Sequence, residues 1–321
     1  MTSLPDGGGR VNAVPLTKSK GRGCLGRRGS PPSSLHRRHT RQGLAFILPC
    51  FVLLGLVLGF PMVVAFVNSF TPLWSRGLSG FTIDYYRRLL QDPIFLNSLV
   101  RTVYFVGATV ALHLVLGLGM ALVLNSAIRA RRLFRIVALL PWTVPDVVAG
   151  LVWGWMYDPL SGILNDALLR LGVIASPIEW LATPSLVMPS VILADVWRGY
   201  PFVMLVLLAG LQAIPKEEYE AAKVDGANAF QEFFHVTLPH LGRMIAIATI
   251  LDVIWQARRF GLIWVMTEGG PARSTEILSV LAYRQYFKFF NFEYASAMAV
   301  VLALILVVVG LPYVRAVARR A

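Results

Sequence analysis

Polar and apolar positions in this 321-residue chain are grouped in long blocks rather than short periods. No formal charge occurs between Arg41 and Arg76, and residues 44–67 are nearly all apolar. Such a run meets the requirement of roughly 20 residues for a helix that crosses a bilayer. Comparable runs cover 102–124, 133–157, 186–211, 243–267 and 294–314, so the pattern predicts six membrane-spanning helices. The third, fourth and fifth are imperfect: they contain Asp146, Asp195 with Arg198, and Asp252 with Arg258 and Arg259. Prolines at 49, 61, 141, 145 and 201 predict kinks, because neighbouring helices and water satisfy the carbonyls that a proline frees. Pro141 and Pro145 equally suit the start of a shorter third span.

Composition agrees with an all-α polytopic membrane protein. Apolar residues make up 56% of the chain and charged residues only 15%, well below the quarter usual in soluble domains. This disfavours a soluble enzyme, a disordered scaffold or a disulfide-stapled module. Net charge is +13, which in a soluble protein would suggest nucleic acid. Its distribution argues for no nucleic-acid partner: nine basic residues crowd into 1–41, a Gly/Pro/Ser-rich stretch that reads as a disordered basic cytoplasmic tail. The tail's length and the long apolar run behind it do not fit a cleavable signal peptide. Cys24 lies in the tail and Cys50 in the first span, which makes a bridge between them unexpected.

With the amino terminus inside, 19 Lys/Arg fall in cytoplasmic segments, among them Arg129, Arg131, Arg132 and Arg135, against 8 in external ones. That asymmetry predicts both termini in the cytoplasm. The external segments read as loops with two short amphipathic stretches, YYRRLLQDP and ILNDALLRLGV. Residues 42–321 then form one transmembrane domain, with a cytoplasmic loop over 212–242.

That loop is patterned. Pro215 suits a helix's first turn, and Glu217 and Glu218 fall near its positive end. Tyr219, Ala222 and, less regularly, Val224 can share a face. Gly226 supplies a turn, and a second short helix over 227–235 offers Phe230, Phe233 and Phe234 on one side. Leu238 and Pro239 close the unit before the next span near Arg243. Two readings stand: a rigid knob that transmits force to a partner, or an interfacial amphipathic elbow in the headgroup layer.

The sequence Glu220-Ala221-Ala222, then Gly226, nine residues, Val236, and Leu238-Pro239 resembles the EAA signature of membrane subunits of binding-protein-dependent ABC importers. The segments LFRIVALLPWTVPDVVAGLVW, DVWRGYPFVMLVLLAGLQAIP and MTEGGPARSTE are similar to the carbohydrate-uptake branch, of the maltose and glycerol-3-phosphate permease kind. The likeness covers roughly 42–320. It implies a type I ABC importer permease fold in the cytoplasmic membrane of a bacterium or archaeon. It also implies the partners: a second homologous permease, two ATPase subunits, an extracytoplasmic solute-binding protein and a small carbohydrate. By the same resemblance, Glu220, Ala221, Ala222 and Gly226 lie at the ATPase contact, braced by Leu238 and Pro239.

The chain has no GxxxxGK[ST] loop, so no cofactor is expected here, and ATP with Mg is expected in the partner ATPases. The expected role is non-catalytic. Asp195 and Arg198 are three residues apart and can pair on one helical face, or line a solute path near the outer boundary. Arg258 and Arg259, just past the middle of the fifth span, follow Asp252 and Trp255. Trp153, Trp155, Trp197 and Trp255 are the available aromatic surfaces for a sugar, and the basic groups also suit a polyol phosphate. Candidate path residues are thus Asp195, Trp197, Arg198, Trp255, Arg258 and Arg259. Glu268–Pro271 with Ser274–Glu276 reads as an external loop that can shape an outer gate. His113 and His235 show no metal-ligand spacing. Two other classes fit hydropathy alone: an ATP-independent secondary sugar transporter, and a membrane receptor or scaffold.

Overall fold

The computed structural model describes residues 46–71, 80–126 and 129–318, with side chains to Leu311. The predicted basic tail over 1–41, with Cys24, lies outside the described residues. The described chain is helical, with no strand. It divides into two units, 1–57 and 58–321. In the first, residues 46–57 are helical and expose Phe46, Phe51 and Leu53. The unit boundary falls inside an apolar helix, α1 (Phe46–Phe70).

After α1 the second unit continues with α2 (Asp84–Gln91), the amphipathic surface helix predicted around YYRRLLQDP. In α3 (Pro93–Asn125), the Asp92 carboxylate accepts from the Ile94 N–H at 2.9 Å, and Pro93 sits where its missing N–H costs nothing. Packed along it is α7 (Pro184–Gln212), whose internal Pro189 and Pro201 leave it continuous. These two helices are the axis of the unit. Apolar cores form on both sides of their midpoint, one around Phe105, Val191 and Ile263, the other around Leu124, Met204 and Leu241. A third cluster joins α2 to α11 (Leu278–Tyr283) and α12 (Phe292–Ala318) through Leu89, Phe95 and Met298. The buried Thr102 hydroxyl ties it to α3, donating to the Ser98 carbonyl at 2.7 Å and accepting from the Leu278 N–H at 2.9 Å.

Two of the six predicted spans differ from expectation. The third is broken into α4 (Arg131–Thr143) and α5 (Asp146–Met156), which meet at 95°. Pro145 is the cause: the residue before a proline is pushed out of the helical region, and Val144 is extended at φ −74°, ψ 126°. Five helices are therefore long and apolar enough to cross a membrane, or six if the bent pair counts as one. The fifth span begins and ends earlier than predicted. Its helix, α9, runs Ala229–Ala257 through a π-helical turn at Phe233–Thr237. Leu238 and Pro239 lie within this helix instead of closing a separate unit. Arg258 and Arg259 are not near the middle of a span, but in the break between α9 and α10 (Gly261–Thr267).

The segments predicted to be external are closer to expectation. The predicted amphipathic stretch is α6 (Ile163–Arg170). Just before it, the Asp158 carboxylate accepts from the Ser161 N–H, the Ser161 hydroxyl and the Leu160 N–H. Those donors hold its pKa below the ordinary carboxylate value. The segment over 268–276 is more than a connecting loop: fully buried Glu276 pairs with Arg284 at 2.7 Å and with Arg273 at 3.7 Å.

Candidate functional site

The break at Val144–Pro145 places the Asp146 carboxylate at the amino end of α5, where the helix dipole favours negative charge. Two guanidinium groups converge on it. Arg198, from α7, reaches Asp146 at 2.6 Å and donates from Nε to the Val144 carbonyl at 2.9 Å. It thereby satisfies an acceptor that the broken helix leaves free. Arg259, from the break after α9, reaches both Asp146 oxygens at 3.1 and 3.2 Å. Its Nε also faces the Gln256 side-chain oxygen at 3.0 Å and the Asp195 carboxylate at 2.8 Å. The Asp195 contact is close but not aligned as a hydrogen bond, so it acts as an ion pair.

The network continues inward. Gln256 donates to Asp252 at 3.2 Å, and the other Asp252 oxygen lies 2.7 Å from His113 Nδ1. The second His113 nitrogen faces the Asp195 carbonyl at 3.3 Å. Three carboxylates and three bases thus link α3, α5, α7 and α9, which suits a low-dielectric interior where lone charge is costly. Gly199 makes room for it: a Cβ there would sit 2.3 Å from His113 Cε1. Only a residue without a side chain lets α7 approach the imidazole so closely.

Against this network lies a cavity of about 430 Å³. Its lining combines the rings of Trp142, Phe202 and Trp255 with the polar groups of Asp146, Arg198, Gln256, Arg258 and Arg259. Trp255 packs on Phe202 with ring centroids 4.5 Å apart. Arg258 is exposed into this space and has no carboxylate partner among the described residues. Aromatic faces beside hydrogen-bonding cations and an amide make a site that can hold a polar, hydroxyl-bearing solute.

Of the predicted path residues, Arg198, Trp255, Arg258 and Arg259 come together here. Asp195 and Arg198 lie on one face but are not each other's nearest partners: Asp195 pairs with Arg259, and Arg198 with Asp146. Asp195 is completely buried between helices. Trp197 is outside the cavity, edge-on to Trp153 at 5.9 Å in the apolar core. Trp153 is buried in that core, and Trp155 is exposed on an outer face. Sequence reasoning noted Asp146 only as a charge inside the third span, did not single out Gln256, Trp142 or Phe202, and took His113 only as an unconvincing metal ligand. The available signal was the surplus of intramembrane charge, which required partners from other spans. Among the described residues no group of three or more His, Cys, Asp or Glu is placed to hold a metal.

The patterned loop is a helix–turn–helix. α8 (Lys216–Val224) turns at Gly226, whose φ of +82° is the left-handed conformation that a β-carbon disfavours. The next helix starts with a capping box, in which the Asn228 side chain accepts from the Gln231 N–H and Gln231 returns the contact. Tyr219 and Ala222 face inward, with the Tyr219 hydroxyl 3.0 Å from that of Thr237. Val224 does not share their face and is 87% exposed. Glu220, Ala221 and Gly226 are exposed, as are Phe230 and Phe234, whose rings touch.

Residues 113–321 match the family described as binding-protein-dependent transport system inner membrane component. The chain belongs to this family. It is 38% identical over 258 residues to the trehalose/maltose transport system permease protein of Thermococcus litoralis, covering 79% of this chain and 86% of the relative. It is 35% identical over 272 residues to the sulfoquinovosyl glycerol transport system permease protein of Agrobacterium fabrum, covering 84% and 88%. The fold is similar to a chain from a bacterial ABC transporter involved in the import of the acidic polysaccharide alginate. There the TM-score is 0.76 at 21% identity, covering 90% of this chain and 99% of the other. The protein is an ABC transporter permease with the type I importer fold and a multi-pass inner-membrane protein.

Proposed function

We propose that this permease lines, with a second homologous permease, the translocation path of an ATP-driven importer for a sugar or related polyol. The observation that carries the reading is the cavity beside the ionic network, where Trp255 offers a ring face and Arg258 an uncommitted guanidinium. Sugars are held by such pairs, because ring C–H faces pack on aromatics while hydroxyls take directed hydrogen bonds. Relatives named for transport of trehalose/maltose and of sulfoquinovosyl glycerol support the carbohydrate class, as does a fold neighbour named for alginate import. Arg258 also accommodates an anionic polyol such as glycerol 3-phosphate.

The helix–turn–helix over 212–242 is the coupling element. It presents the exposed Glu220, Ala221 and Gly226 to the groove of a cytoplasmic ATPase, while Ala222 packs inward behind them, with both termini of the chain on that side. Because α9 runs unbroken from Ala229 through Leu238 and Pro239 to Ala257, a push on the loop reaches Asp252, Trp255 and Gln256 along one rigid rod. ATP and Mg bound by the two ATPases bias this rod between two arrangements of the cavity. A solute-binding protein delivers the solute from outside.

The assembled importer, reconstituted in vesicles with ATP inside, tests this directly against a panel of radiolabelled sugars and polyols. Trp255→Ala and Arg258→Gln should each lower uptake of the transported solute about tenfold or more, with assembly intact. Gly226→Val should stop uptake and release the ATPase. Full uptake by the two cavity variants removes the cavity from the path. Uptake without any ATPase favours a secondary transporter.

A further inference from the structure

A second cavity, of about 570 Å³, lies where α3 and α7 end and α4 and α8 begin. Arg131, Arg135, Lys216, Gln212 and Tyr219 line it, and no carboxylate does so among the described residues. With its amide oxygen turned inward, Gln212 accepts from Arg135 at 2.6 Å and from Arg131 at 3.3 Å. Two guanidinium groups thus converge on one neutral oxygen, and the Nε donor of each is buried without a hydrogen-bond partner. Like charges a few ångströms apart repel, and an unused buried donor is costly. The helix adds to this: Arg131 is the first residue of α4, whose first turn holds no acidic side chain, so its positive dipole end also faces cations. Lys216, the first residue of α8, adds a third cation to the lining; Glu217 and Glu218 follow it in that helix's first turn but do not line the cavity.

Arg131, Arg135 and Lys216 together call for an anion, and no carboxylate in the lining supplies one. Its depth narrows the class. Spans end here, at the level of lipid headgroups, and the planar forks of Arg131 and Arg135 match the oxygens of a phosphate. We propose that this cavity is a binding site for a phosphate-bearing anion, in the membrane the headgroup of an acidic phospholipid. It is separate from the solute cavity and shares no lining residue with it. Bound there, the anion would clamp the start of α4 to the start of the coupling helix α8, so lipid composition would bear on coupling.

The test uses the full chain purified in mild detergent and titrated with short-chain phosphatidylglycerol, phosphatidylcholine or inorganic phosphate, each followed by native mass spectrometry. Phosphatidylglycerol should be retained at least tenfold better than phosphatidylcholine. The double variant Arg131→Gln/Arg135→Gln should abolish that preference, and Lys216→Gln, on an exposed residue that leaves the spans intact, should weaken it several-fold. Arg132→Gln is the control, because Arg132 does not line the cavity. Inorganic phosphate binding with the same variant pattern, and no lipid preference, would assign the site to a free anion. Equal retention of both lipids without phosphate binding overturns the proposal. So does an Arg132→Gln loss as large as the Lys216→Gln loss, since that is general surface charge.

Discussion

Replacing Gly199 with alanine probes whether the ionic network depends on the close approach of α7 to His113. The new methyl would lie 2.3 Å from His113 Cε1 and 2.4 Å from Nε2, more than 1 Å inside ordinary contact. His113 is fully buried. Either the ring tilts and the 2.7 Å contact with Asp252 is lost, or α7 moves away from α3. Overpacking of this kind costs about 1–3 kcal/mol, and loss of a hydrogen bond to a charged group about 1.5–3 kcal/mol. Alanine's better helix propensity returns at most about 1 kcal/mol, so where both costs apply the clash wins by about 1.5–5 kcal/mol. The assay is thermal unfolding of the detergent-solubilised chain as a double-mutant cycle with His113→Ala. Gly199→Ala should lower stability strongly in the parent and hardly at all in His113→Ala, where the ring is gone. An equal loss in both backgrounds would refute the reasoning, because the clash would then not be with the imidazole.

Asp146→Asn should cost about 2–3 kcal/mol in the same assay. It strips Arg198 and Arg259 of their shared carboxylate, and partial exposure of Asp146 keeps the loss below the 3–5 kcal/mol of a fully buried pair. Thr102→Val keeps the shape but leaves the buried Leu278 N–H without its acceptor, so a loss of about 1–3 kcal/mol is expected in thermal unfolding. Gly226→Val forces a β-branched residue into φ +82°, a local strain of about 1–2 kcal/mol. Its signature should be lost ATPase binding in co-purification, while thermal unfolding of the membrane portion stays near that of the parent.

The chain's order of residues determined the helices, because crossing a bilayer demands long uncharged runs and those runs are explicit over α1, α3, α7 and α12. It also determined the helix–turn–helix, since Gly226, the Glu220-Ala221-Ala222 run and the aromatic group at Phe230, Phe233 and Phe234 are local signals. Even the break in the third span was foreshadowed by Pro141 and Pro145, although its 95° bend was not. What only the tertiary structure decided was who partners whom. Asp195 and Arg198, three residues apart, suggested a pair by helical spacing, yet each found a stronger partner more than fifty residues away. Trp197 and Trp255 look equivalent in sequence, but the turn of each helix sends one into the apolar core and the other into the cavity. Periodicity reports which residues must leave lipid or water, because that is a property of each segment and its solvent. The pairing of buried charges is settled between segments, by where bent and packed helices bring their ends.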